Sequence, residues 1–162
     1  MRFGSKHNII GALESNFSYM FFENINYWTI IISAIVSMGL GFAWYSPIMF
    51  GARWMREMNY TPEGLERLKN SNTPKGMART YSLSTLMTLI TAFVLSALLN
   101  SLIITSISGL FLMAFLMWLA FSMPVAANYV MFGKDSLMLF AINTGYQLLC
   151  LVLMVLIIGF FG

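Results

Sequence analysis

Three long stretches of the chain carry no charged residue: Asn24–Ala52, Thr80–Gly133 and Ser136–Gly162. Apolar residues fill most of each. A charge-free apolar run of 18 or more residues suits a helix crossing a hydrocarbon core of about 30 Å, which takes roughly 20 residues. The pattern predicts four spans, at 25–45, 81–104, 109–129 and 136–160. The turn Thr105-Ser106-Ile107-Ser108 separates the second from the third. Phe132-Gly133-Lys134-Asp135 separates the third from the fourth. Links this short join antiparallel neighbours. The expected fold is therefore an all-α integral membrane bundle of four transmembrane helices, up-down-up-down, forming one domain over 25–162.

The segment 1–24 has a different pattern. Ile9, Ile10, Leu13, Phe17 and Met20 recur at helical spacing among Asn8, Glu14, Ser15 and Asn16. It lacks the apolar core and small-residue cleavage site of a signal peptide. It reads as an amphipathic helix lying on the membrane surface. Between the first two spans, Thr61-Pro62-Glu63 opens a second short helix, expected to run to Asn70. Thr61 can cap it, Pro62 suits its first position, and Glu63 favours the positive end of its dipole. Aromatic residues cluster at span ends. Trp28, Trp44, Tyr45 and Trp54 are the expected interface anchors.

Charge sets the orientation. Six of the nine basic residues, Arg53, Arg56, Arg67, Lys69, Lys75 and Arg79, lie in the loop at 50–80, and Lys134 lies in the third link. Cytoplasmic loops are rich in Lys and Arg. The loop 50–80 is thus expected in the cytoplasm and both termini outside, in the cell (inner) membrane. The net charge of +3 then reflects topology and not nucleic-acid binding.

Composition narrows the chemistry further. The 162 residues are 59% hydrophobic and 9% charged, against about 25% charged in a typical soluble domain. Proton relays and ion-coupled pumps usually keep ionisable residues within their spans. The four core spans here have none. The only histidine, His7, is far in sequence from the only cysteine, Cys150, so no nucleophile–base pair is suggested. The methionines are scattered without ligand spacing. No cofactor, no metal and no enzymatic activity are expected.

Spans associate through small residues and a few polar contacts. Ser33, Ser37 and Gly41 recur every four residues in the first span. Ser84, Thr88, Ala92, Ser96 and Asn100 do so in the second. These stripes are expected to face other helices. Asn128, Asn143, Tyr146 and Gln147 are the remaining polar candidates, either for interhelical hydrogen bonds or for a small-ligand site. Pro124 falls inside the third span and is expected to kink it. Met-Phe-Gly ends both Tyr45–Gly51 and Ala127–Gly133, a hint of two related halves.

The run Gly41-Phe42-Ala43-Trp44-Tyr45-Ser46-Pro47-Ile48-Met49-Phe50-Gly51-Ala52-Arg53-Trp54-Met55 resembles the signature G-x-x-W-Y-S-P-x-x-F-G-x-x-W-M of an uncharacterised membrane family, domain of unknown function 1761 (DUF1761). The later stretch Asn128-Tyr129-Val130-Met131-Phe132-Gly133-Lys134, then Ile142-Asn143-Thr144-Gly145-Tyr146-Gln147-Leu148, resembles its second block, N-x-G-Y followed by a closing apolar helix. Where the family pattern often has His after that Gly-Tyr pair, this chain has Gln147. The resemblance extends from Tyr27 to Gly162. It implies a four-span membrane protein and no particular reaction. The leading expectation is a structural or accessory subunit. It would contact the lipid bilayer and bind other membrane-protein subunits, or itself as a homo-oligomer, through its spans. The alternative is a small channel or transporter with a polar path near Asn128, Asn143 and Gln147.

Overall fold

The computed structural model describes residues 25–58, 60–61, 63, 66, 74–102, 104, 106–133 and 135–162. The amphipathic helix expected over 1–24 lies outside the described residues. So does most of the helix expected at 61–70.

Every regular element among the described residues is helical. Helix α1 is Tyr27–Trp44, α2 Gly51–Glu57, α3 Pro74–Leu102 and α4 Ile107–Met117. A π-helical turn over Trp118–Ser122 leads from α4 into α5, Met123–Met131, and α6 is Leu137–Phe161. Four segments are long and apolar enough to cross a membrane: Tyr27–Trp44, Ala78–Leu102, Ile107–Met131 and Leu137–Phe161. These match the four expected spans to within about three residues. The helix carrying the second span differs, since it begins at Pro74. Proline suits a first helical turn, and the helix carries Lys75 and Arg79 before its charge-free run starts.

Helix starts are set by polar caps. Asn26 Oδ1 accepts from the Trp28 amide at 3.1 Å. Ser106 Oγ accepts from Gly109 and Ser136 Oγ from Leu139, both at 3.1 Å. Each cap satisfies an amide that the first helical turn leaves open. In a membrane this matters more, because water is scarce as a substitute partner.

Helix α6 is central and packs against α1, α3, α4, the π turn, α5 and the short α2. Its register with α1 is antiparallel. Asn26 Nδ2 donates to Phe161 O at 2.9 Å at one end, and Trp44 Nε1 donates to Ile142 O at 3.1 Å at the other. Helices α1 and α3 are also antiparallel, with Thr85 Oγ1 3.3 Å from Met38 Sδ and the Phe42 and Tyr81 rings 5.9 Å apart. The short α2 carries Trp54, one of the expected interface anchors.

The half of the bundle away from the 50–80 loop holds an apolar core. Leu95, Leu99, Leu110, Ala114, Val155 and Ile158 are buried there. At Gly159 the helices come so close that a Cβ would lie 2.7 Å from the Leu110 methyls. The loop-side half is built differently, with polar and aromatic residues between the helices.

Candidate functional site: a cleft around Asn143

The site begins at the end of α1. Tyr45 caps the helix, and Ser46-Pro47 starts a compact turn. Phe50 N donates to Trp44 O at 3.1 Å and Gly51 N to Ser46 O at 2.9 Å. A Cβ at Gly51 would collide with the Tyr45 carbonyl, so the turn closes only with glycine there. Helix α2 leaves this turn against α6 and delivers Trp54.

Three ring donors converge on α6. Trp44 reaches Ile142 O. Tyr45 Oη donates to Asn143 Oδ1 at 3.1 Å, and Trp54 Nε1 donates to the same oxygen at 3.2 Å. An indole N–H can only donate. The atom it meets must therefore be the amide oxygen, which fixes the orientation of Asn143. The Asn143 amide nitrogen has no hydrogen-bond partner among the described residues. Tyr146, one turn along, meets Tyr45 edge to face at 5.2 Å and Trp44 at 6.5 Å. Such ring pairs contribute about 0.5–1.5 kcal/mol each beyond burial.

This cluster forms one wall of a cleft of about 570 Å³ between α6 and the π turn and α5. Phe121, Val125 and Tyr129 line the opposite wall, with Asp135 and Phe140 where the chain enters α6. A second cavity of about 310 Å³ adjoins it, and Ser122, Tyr146 and Gln147 line both. Ser37, Thr88, Thr91 and Cys150 also line this second cavity, together with Ser84 and Met87 on the exposed side of α3. Thr88 and Thr91 satisfy their hydroxyls on their own helix, at Ser84 O and Met87 O. Ser37 is 1% exposed, and its Oγ has no hydrogen-bond partner among the described residues. Its carbonyl accepts from Tyr146 Oη at 3.4 Å.

Pro124 acts through the π turn. Proline supplies no N–H to the preceding turn, and here the backbone widens just before it, over Trp118–Ser122. Wide turns of this kind often sit at functional sites. Trp118 Nε1 donates to Thr144 O at 2.8 Å and pins the start of the turn to α6. The turn places Phe121 and Ser122 in the cleft wall.

Of the polar candidates, Asn143, Tyr146 and Gln147 come together. Asn128 does not join them. It is exposed, because Val125, Ala126 and Tyr129 occupy the cleft face of α5 and Asn128 falls on the neighbouring face. Trp44, Tyr45 and Trp54, expected as anchors in the lipid interface, direct their polar atoms inward to α6. Trp28 stays 74% exposed at the other end of α1. In the packing stripes, Ser33, Ser37, Ala92 and Ser96 are buried. Gly41 sits against Tyr146, Thr88 is half-buried and Ser84 is exposed. The Met-Phe-Gly repeat does not carry over into geometry. Gly51 begins a helix against the carbonyl six residues back, whereas Gly133 follows a helix against the Tyr129 carbonyl four back.

Sequence reasoning missed Trp118, Ser122 and Asp135, and a loop contact in which Ser136 Oγ donates to a Glu57 carboxylate oxygen. Only Pro124 hinted at the first two. No group of three or more His, Cys, Asp or Glu suited to a metal ion occurs among the described residues.

A family model described as protein of unknown function (DUF1761) matches residues 28–159. No curated protein and no solved structure matches the chain.

Proposed function

This chain belongs to the DUF1761 family, and on that premise we propose that it is a multi-pass membrane protein that binds a small polar solute in the cleft around Asn143. The observation that carries this is that two adjoining cavities share Ser122, Tyr146 and Gln147 in their walls. The outer cleft sets the polar groups of Asn143, Tyr146 and Gln147 among aromatic rings, and the second cavity reaches Ser37 and borders on Leu151 and Met154. Polar groups gathered in a cleft at one end of the bundle, with an apolar core at the other, suit binding better than an open pore. By the distribution of basic residues the mouth of the cleft faces the cytoplasm of a cell-membrane protein.

The test is thermal unfolding of the detergent-purified protein against a panel of small solutes. A ligand at 100 times its Kd stabilises by about 2.7 kcal/mol. Stabilisation by at least one solute, abolished in Asn143→Leu and Gln147→Leu, is expected. A solute response that both variants keep would remove the cleft from the proposal.

A second reading, an accessory subunit or homo-oligomer, draws on a different observation. Ala78–Ser84 of α3 is exposed without a break. This stretch mixes Tyr81 and Leu83 with Ser82 and Ser84, a poor match to lipid on every side. A neighbouring span would cover it. Disulfide trapping of Ser84→Cys in a Cys150→Ala background in native membranes tests this: a cross-linked band supports it, and a monomer alone counts against it.

A further inference from the structure

We propose that the cleft takes a small organic cation, its ammonium group held among aromatic rings and the Asp135 carboxylate. This rests on the binding reading above and names its ligand class. Five rings line the cleft, those of Tyr45, Phe121, Tyr129, Phe140 and Tyr146, together with Asp135. Aromatic faces attract cations, most of all where water is excluded. Among the described residues no Lys or Arg lines the cleft, and none pairs with Asp135.

The Glu57 carboxylate, held beside the start of α6, is accounted for. Glu57 accepts from Ser136 Oγ at the start of α6, and Ser136 in turn caps the helix through Leu139. Asp135, one residue earlier, is left to the cleft. An anion would meet this carboxylate with no cationic side chain in the described lining to offset it. The neutral amides of Asn143 and Gln147 and the Ser37 hydroxyl, unpartnered among the described residues, can hydrogen-bond the polar remainder of the ligand. Quaternary ammonium recognition by aromatic cages is a general use of such rings. The same chemistry is presented by a free cation and by a choline lipid headgroup, and the experiment separates them.

The full chain is reconstituted in nanodiscs of phosphatidylglycerol, which carries no ammonium group. Binding of radiolabelled choline is measured at equilibrium, with the uncharged isostere 3,3-dimethylbutan-1-ol as competitor. Saturable choline binding is expected, with the alcohol competing at least about tenfold less well. Asp135→Asn should weaken choline about tenfold and leave the alcohol unchanged, consistent with loss of one close charge. Tyr129 is largely exposed, so its variants test the ring without disturbing the core. Tyr129→Leu should weaken choline binding, and Tyr129→Phe should not. In phosphatidylcholine nanodiscs, weaker binding of free choline would identify the headgroup as the occupant, and unchanged binding the free cation. Equal competition by the alcohol, or native affinity in Asp135→Asn, overturns the proposal. If choline fails while a neutral solute still binds in an Asn143-dependent way, only the ammonium assignment falls. If nothing binds, the cleft reading falls with it.

Discussion

Trp54 donates its indole N–H to Asn143 Oδ1 at 3.2 Å, across 89 residues of sequence. This bond ties the loop helix α2 to the last span and joins two features that the sequence kept apart. Tyr45 completes the arrangement from the end of α1. Asn143→Leu removes the shared acceptor and leaves both donors unpaired. Polar contacts between membrane helices average about 0.6 kcal/mol, with about 1.7 as the upper range. We expect Asn143→Leu to destabilise by about 1–2 kcal/mol in reversible detergent unfolding. Trp54→Phe should cost less. In the double variant the two effects should fall short of their sum by about 0.6 kcal/mol. Strict additivity would mean that the bond carries no energy.

The spans were legible because a gap in charge is a one-dimensional signal. Asn143, Tyr146 and Gln147 were legible for the same reason, as polar residues inside a charge-free run. Their partners were not. Trp44, Tyr45 and Trp54 stand where aromatic residues commonly meet the headgroups. Only the fold brings α6 beneath them, about a hundred residues along the chain. Asn128 stands apart from Asn143 because Val125 and Tyr129 hold the cleft face of α5, a placement that depends on how α5 is rotated about its axis. Pro124 announces a disturbed helix, but the sequence does not say how the neighbouring backbone will adapt.

Gly41 and Gly39 give a matched pair on one helix. A Cβ at Gly41 would lie 2.8 Å from Tyr146 Oη, while one at Gly39 meets nothing within 4 Å. Gly39→Ala should be neutral or slightly stabilising, since alanine is the better helix former. Gly41→Ala should destabilise by about 1 kcal/mol, the low end of overpacking costs. Removing the hydroxyl leaves Tyr146 Cζ as the nearest ring atom, at 3.4 Å, which is ordinary contact. Tyr146→Phe should therefore rescue much of the loss from Gly41→Ala. If Gly41→Ala is as harmless as Gly39→Ala, the close approach is wrong.

The orientation is open to a direct check. Ile48 is 94% exposed in the turn after α1, and Ser108 is exposed at the start of α4. With Cys150 replaced by alanine, single cysteines at these two positions should react with a membrane-impermeant maleimide from opposite sides. Ile48→Cys should be protected in intact cells and Ser108→Cys labelled. The reverse pattern would invert the topology. Labelling of both from one side would contradict the four-span arrangement.

Pro124→Ala tests whether the proline and the π turn shape the cleft together. Alanine restores an N–H and removes the ring, and in a helix interior the exchange is worth up to about 3 kcal/mol. The backbone before it is then free to tighten from the π turn to an ordinary α-turn. Each residue of an α-helix turns by about 100°, so absorbing the extra residue would swing Phe121 and Ser122 out of the wall they share with Tyr146 and Gln147. Trp118 resists this, because its bond to Thr144 O holds the start of the turn. We expect Pro124→Ala to unfold at a higher temperature than the native chain yet to lose the outer cleft. The readout is a Ser122→Cys probe in a Cys150→Ala background, labelled by a small polar thiol reagent from the loop side. Labelling should be ready in the native backbone and at least several-fold slower with alanine at 124. Adding Trp118→Phe should slow it further by releasing the pin. Unchanged labelling in Pro124→Ala would show that the bond from Trp118 alone maintains the widened turn, leaving the proline no part in forming the cleft.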